Sequence, residues 1–332
     1  MVVRITRILL LLQFTIALAI AAFTKISFHL ESYVYAILLG IALVVLMRLL
    51  ITANNFSLAW RYRSQTPHAL NLNIWQAIGL FFDEFRATMI ASSWNMPFRT
   101  FTRHVADKPM ALPVLLIHGY GCNSGYWEAM SKALANADIT HYAIDMEPVV
   151  GSIDAYVPMI HGAVERICRE TGHDQIVIVA HSMGGLATRA YLRDHGSARI
   201  AKAITLGTPH RGTALARFGI GINTKQMLWT AGEQEGLSSA WLRKLAASED
   251  KAVRRLIVSL YSHHDNIIAP QTSSHLDGAK NIEFHGIGHV ALAMHPAVQE
   301  LVIREIHEIP LSTDKVKKSG MRTSLRGTDK RQ

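Results

Sequence analysis

A chain of 332 residues holds one large domain with an appendage or two modest domains, and with 49% hydrophobic residues it has material for a sizeable core. Its two cysteines, Cys122 and Cys168, form neither a disulfide framework nor a close-spaced metal motif, so each reads as a small buried hydrophobe and no zinc or iron–sulfur site follows. The formal charge of +9, from 34 Lys and Arg against 25 Asp and Glu, suits anionic lipid headgroups before nucleic acid, because the basic residues are scattered and the N-terminus is apolar.

Ile8–Thr24 is uncharged, and a second uncharged run, Ser32–Met47, is extended past Arg48 by Leu49, Leu50 and Ile51. Each is close to the roughly 17–25 residues that cross a bilayer. The short connection with Lys25, His29 and Glu31 leaves room for a helical hairpin, expected over residues 1–52. Arg4 and Arg7 precede the first run, and Arg48, Arg61 and Arg63 follow the second. By the positive-inside rule both ends lie in the cytoplasm, which expects a bacterial inner-membrane anchor with a cytoplasmic domain. Two other readings stay open. Residues 1 to about 21 form a cleaved signal peptide ending near Ala19, Ala21 and Ala22, with the domain exported to the periplasmic side, or both runs are core helices of a soluble protein.

Residues 53–108 read as a linker carrying an amphipathic helix. Ile74, Ile78, Phe81, Phe82, Phe85 and Met89 recur at helical spacing, with Asp83 and Arg86 turned away. Such a helix packs on the following domain or, with Trp75 and Trp94 nearby, lies in a membrane interface.

Beyond Pro109 strand and helix patterns alternate. Pro113–His118, Ile139–Asp145, Gln175–Ala180, Ile200–Leu206, Val253–Tyr261 and Asn281–His285 read as buried strands, with helices such as Pro158–Glu170 and Gly184–Arg193 between them. This predicts an α/β domain over 109–310, a mostly parallel sheet with helices on both faces. Residues 311–332 are basic and polar with no apolar period, which predicts a disordered tail.

Within this pattern "IVIVAHSMGGLATRAYL" joins an apolar strand to a helix through a turn of small residues around Ser182. A sharp turn of this kind pushes a serine hydroxyl out at the carboxyl end of a sheet, and small flanks are needed where the backbone crowds. The competing reading is an ordinary strand-to-helix turn with a capping serine. A serine hydroxyl needs a base and an orienting carboxylate. His289, after the last strand in "FHGIGHVAL", is the expected base, with His285 and His295 as alternatives. Asp265, after the preceding strand in "IVSLYSHHDNIIAP", is the expected acid, with Asp277 and Glu283 as rivals. "LLIHGYGCNSGYW" supplies a turn whose Tyr120 N–H, with the Met183 N–H, would form an oxyanion hole. His118 reads as a structural hydrogen-bonding residue, and His181 is expected to point away from the bond being cut.

The segments "PVLLIHGYG", "AHSMGG", "LGTPHRGT" and "SHHDNIIAP" followed by "LDGAKNIEFHGIGHVAL" together resemble bacterial triacylglycerol lipases and esterases of the α/β-hydrolase fold, over about residues 110–308. The resemblance implies ester hydrolysis through an acyl-enzyme with no organic cofactor. Some relatives hold a structural calcium ion, but no compact carboxylate cluster here supports a metal. Residues 214–245, rich in apolar side chains, are expected to form a cap or lid over an acyl pocket. The expected partners are a lipid or ester substrate and a membrane, without nucleic acid. Two alternatives to hydrolysis remain: an acyltransferase using the same acyl-enzyme, and a non-catalytic membrane scaffold.

Overall fold

The computed structural model describes residues 1–28, 32–232, 237 and 239–310. The tail expected over 311–332, and residues 233–236 and 238 of the expected cap, lie outside the described residues.

The chain opens with two long helices, α1 (Val2–Ser27) and α2 (Tyr33–Arg61), the second capped by Ser32. Both are long and apolar enough to cross a membrane, and only 17% and 11% of their apolar windows are buried. Ile8, Leu11 and Phe14 of α1 and Leu38, Leu50 and Ile51 of α2 face outward. Small residues set their contact: a side chain at Gly40 would collide with the Ala17 carbonyl. Helix α3 (Ile74–Ile90) starts at a reciprocal Asn73–Gln76 capping box and runs through a π-helical turn, Ala91–Asn95, into the single turn α4 (Met96–Phe98).

The helix expected over 74–89 is present, but its domain-facing side is not the expected one. Leu80, Glu84 and Ala87 are buried, while Ile74, Ile78 and Phe82 are exposed. Phe81 turns toward α2, where its ring lies 5.9 Å from that of Phe56. Two neighbours therefore share the helix, and much of its apolar stripe covers neither.

The α/β part follows as β1 (Arg103–His104), β2 (Val114–Ile117), α5 (Glu128–Asn136), β3 (His141–Ile144), α6 (Val157–Thr171), β4 (Ile176–His181), α7 (Met183–His195), β5 (Ile200–Leu206), α8 (Ile222–Gln226), α9 (Ala240–Ser248), α10 (Lys251–Arg255), β6 (Ile257–Ser262), β7 (Lys280–Phe284) and α11 (Pro296–His307). The described strands form one sheet in the order β1-β3-β2-β4-β5-β6-β7. All pairings are parallel except β1 with β3, a short edge the sequence patterns did not reveal. Strand alternation divides the core: Leu115, Ile117, Ile176 and Ile178 pack on one face, and Val114, Leu116, Val177 and Val179 on the other. With helices covering both faces, a central strand such as β4 is buried throughout and apolar up to Ala180, which is why it reads as a continuous run.

The strand expected over Val253–Tyr261 begins only at Ile257. Asp250 accepts the Val253 N–H at 2.7 Å and caps α10 instead, keeping Arg254 and Arg255 out of the sheet. The order 3-2-4-5-6-7 places the ends of β2, β4, β6 and β7 along one carboxyl edge, where the candidate residues gather.

Candidate active site

Ser182 stands between β4 and α7 with φ +54° and ψ −127°, a left-handed conformation that is strained for a residue with a side chain. Its hydroxyl makes no capping bond to α7, so the capping reading fails. The elbow is crowded as the small residues require. A side chain at Gly184 would reach the carbonyls of Ile117 and His118, one at Gly185 would overlap Thr208, and one at Gly119 would stand 2.8 Å from Ser182 Cβ.

His289 lies in the loop after β7, and its Nδ1 is 2.7 Å from Asp265 Oδ2. That hydrogen bond puts the proton on Nδ1 and leaves Nε2 as a lone pair. Asp265 follows β6, and its other oxygen accepts the N–H groups of Ile267 and Ile268 at 2.8 and 2.7 Å. Burial alone would depress the His289 pKa, but the Asp265 charge and hydrogen bond, with Glu84 adding to them, hold it above the ordinary histidine value. Among the described residues no hydrogen bond joins Ser182 Oγ to His289, although both line one cavity. Such contacts are often long in unliganded sites and tighten with substrate.

The Tyr120 and Met183 backbone N–H groups have no hydrogen-bond partner among the described residues, and Tyr120 also lines the cavity. The Tyr120 hydroxyl donates to the Ile220 carbonyl at 2.8 Å and accepts the Ile220 N–H at 3.1 Å, which pins the loop after β2 to the segment above it. His118 is held at both nitrogens, by the Gly119 carbonyl and the Met146 N–H, each at 2.9 Å. Asp277 pairs with Arg211 at the surface, and Glu283 bonds Tyr261 and His263, so both rivals are engaged elsewhere. The Cys122 thiol also borders the cavity, but burial pushes it up to about 12, which keeps it protonated at neutral pH.

Two supporting residues, Glu84 and Asn266, escaped the sequence patterns, and a third, His181, lies otherwise than expected. Glu84 of α3 is buried and accepts the N–H groups of Val290 and Ala291 at 3.0 Å each, directly behind His289. Burial raises its pKa against the pull of those two donors. Asn266 accepts the His289 N–H at 2.9 Å. His181 does not turn away from the site: its Nε2 meets the His289 carbonyl at 3.1 Å, and its ring stacks on Tyr126 at 4.5 Å. Burial drives its pKa well below the ordinary value, so it stays neutral and braces the loop. The one sequence signal for Glu84 was a carboxylate at helical spacing between Leu80 and Ala87.

The cavity has a volume of ≈ 570 Å³, within the roughly 300–1,000 Å³ of small-molecule sites. From the stretch 214–245, Leu215, Ala216, Phe218, Gly219, Thr224 and Met227 line it, whereas Leu242 and Leu245 pack into the core below.

Residues 113–228 match the family described as alpha/beta hydrolase fold. Among solved structures, the mature form of Bacillus licheniformis lipase BlEst2 superposes with a TM-score of 0.53 at 16% identity, covering 62% of this chain and 97% of that one. Aspergillus fumigatus lipase B gives 0.51 at 16% identity over 61% of this chain and 55% of that one, so this chain spans about half of that lipase's length. At such identities the likeness shows the fold. The chain has the α/β-hydrolase fold expected from its motifs, preceded by two candidate membrane helices.

Proposed function

We propose that this α/β-hydrolase-fold protein is a membrane-anchored serine hydrolase that cleaves carboxylic esters of the lipase or esterase type. The observation that carries the reading is the Asp265–His289 pair at 2.7 Å opening onto the same apolar cavity as a serine on a left-handed elbow. In this reading His289 Nε2 takes the Ser182 proton as Oγ attacks the ester carbonyl. The imidazolium is stabilised by Asp265, and the Tyr120 and Met183 N–H groups receive the oxyanion. The alkoxide leaves with the proton from His289, and water, deprotonated by the same histidine, then releases the acid and restores the serine hydroxyl. The lipase folds matched above support the choice of esters as substrates.

The domain division belongs to the same proposal: a hairpin over 1–52, a linker with α3 over 53–108, and the catalytic domain over 109–310. An uncleaved hairpin is supported by the packing of α1 on the rest of the protein, since Arg7 Nε donates to the Pro97 carbonyl at 3.0 Å and its guanidinium lies over Phe98. The outward apolar faces of α1 and α2 support spans over core helices, and the arginines at both ends favour a catalytic domain on the cytoplasmic side of a bacterial inner membrane.

The test is hydrolysis of a nitrophenyl acyl ester by the full-length protein and by Ser182→Ala. Loss of at least about 10⁴-fold in kcat is expected. Full activity in the variant, or no labelling of the wild type by a fluorophosphonate, sinks the reading.

A further inference from the structure

The cavity at Ser182 reaches beyond the segment shared with other hydrolases. One wall is made by Asn54, Asn55 and Leu58 of α2, and another by Thr88, Ala91 and Ser92 of α3 and its π-helical turn. The family match covers residues 113–228, so these walls come from chain that precedes it. α2 is at the same time a 29-residue helix whose most apolar 18 residues have a mean hydropathy of 2.7 and whose apolar surface is exposed. A single helix thus exposes apolar side chains along its first turns and borders the reaction cavity near its end.

Contacts on both sides fix this arrangement. The Arg48 guanidinium donates to Gln13, Ser92 and Ser93 at 2.8, 3.0 and 2.9 Å, tying α1, α2 and the π-helical turn together. Across the opening, Arg217 donates to the Tyr62 hydroxyl at 3.1 Å, tying the end of α2 to the segment that carries Phe218. Phe218 lines the cavity yet is 60% exposed, and Ile220 and Ile222 beside it are 76% and 57% exposed. An apolar rim of this kind is unfavourable in water and neutral against lipid.

We propose that the end of α2, where the helix runs on past the hairpin, forms one wall of an acyl-binding site, and that the ligand is a long acyl chain of an ester resident in the bilayer. The chain enters sideways from the leaflet, between the end of α2 and the segment 215–222. The inference rests on the serine-hydrolase reading of Ser182. A chain following this route passes from lipid to an apolar cavity without crossing water, and its ester arrives at the carboxyl edge where Ser182 stands.

The experiment uses the full-length protein in phosphatidylcholine vesicles. Ala91→Trp and Leu58→Trp narrow the walls that the π-helical turn and the end of α2 give the cavity, and the ratio of kcat/KM for nitrophenyl palmitate over nitrophenyl acetate is expected to fall at least about tenfold in each. An unchanged ratio overturns the inference. Because a tryptophan can prevent folding, the wild type is also irradiated in vesicles containing a phosphatidylcholine with a diazirine at the end of one acyl chain. Adducts are expected within 54–58 and 88–96, and prior reaction of Ser182 with a hexadecyl fluorophosphonate is expected to suppress them while adducts on the outer faces of α1 and α2 persist. Adducts missing from those segments, or unaffected by the reagent, overturn the proposal. If the reagent labels the wild type and not Ser182→Ala, the serine-hydrolase reading survives either failure; if it labels neither, that reading falls first.

Discussion

Glu84 accepts the N–H of Val290 at 3.0 Å across 206 residues of sequence, and its second oxygen takes the N–H of Ala291 at the same distance. A helix outside the matched hydrolase segment therefore holds the loop that carries His289. Its charge also adds to the upward shift of the histidine. Glu84→Gln keeps one acceptor oxygen but turns an amide N–H₂ toward the other donor and removes the charge. The His289 pKa is then expected to fall, so that neutral histidine persists further into acid and the acid limb of kcat/KM moves to lower pH. The variant should also lose about 1–3 kcal/mol of stability for the buried donor left unpaired. A lower Tm with an unmoved acid limb would mean that Glu84 gives structural support alone.

Asp265→Asn preserves an oxygen for Ile267 and Ile268 but presents N–H₂ to His289 Nδ1. The imidazole is then driven to the other tautomer, with its proton on Nε2, where it cannot accept the serine proton. A kcat loss of about 10⁴-fold is expected with little change in Tm. Loss below tenfold in steady-state ester hydrolysis would remove Asp265 from the triad.

Gly119→Ala places a methyl group 2.8 Å from Ser182 Cβ, closer than real side chains approach. Either the elbow or the Tyr120 loop must shift, and a displacement of about 1 Å in a reacting group costs on the order of 100-fold. Turnover of a short ester should fall by roughly that factor while circular dichroism stays that of the wild type. Wild-type turnover would mean that the loop after β2 yields freely.

Burial pulls the pKa of both His141 and His264 down to about 4. A histidine depressed in the folded state stabilises fully above its unfolded pKa near 6.5, and that stability is lost as pH falls through the window from about 6.5 to about 4. His289 has the opposite sign: its raised pKa gives stability below the unfolded value that is lost as pH rises through the folded one. The depressed histidines outnumber it, with His181 and His210 shifted the same way. Urea unfolding in detergent should therefore show lower stability at pH 5 than at pH 7, by about 2 kcal/mol from His141 alone. Equal stability at the two pH values would contradict these burials.

Arg48→Leu removes the guanidinium that joins Gln13, Ser92 and Ser93. Hydrogen bonds to a charged group contribute roughly 1.5–3 kcal/mol each, so Tm in detergent should fall by several degrees. Proteolysis between α2 and α3 should also become faster. An unchanged Tm would mean that the hairpin and the π-helical turn are held by apolar packing alone.

The candidate triad could be proposed from the sequence because each of its residues depends on local pattern. Ser182 lies in a strand–turn–helix signature, while Asp265 follows the buried strand β6 and His289 the partly exposed edge strand β7, whose order along the chain repeats at the sheet edge. Strand β1 was not legible, since two exposed residues carry no period. The working face of α3 was misread because its apolar residues outnumber its domain contacts, and one of its three buried positions belongs to a carboxylate. A charged residue enters a core when distant donors meet it, and helical periodicity contains no term for donors more than two hundred residues away.

Side-chain chemistry within a few turns of chain was enough to expect the α/β alternation, the two apolar helices, the elbow and the residue types of the candidate triad. The walls that α2 and α3 give the cavity, the bracing of the histidine loop by Glu84 and His181, and the tie from the loop after β2 through Tyr120 to Ile220 emerge from the fold alone. Those contacts join segments far apart in the chain, where burial and hydrogen-bond satisfaction, rather than local propensity, select the partners.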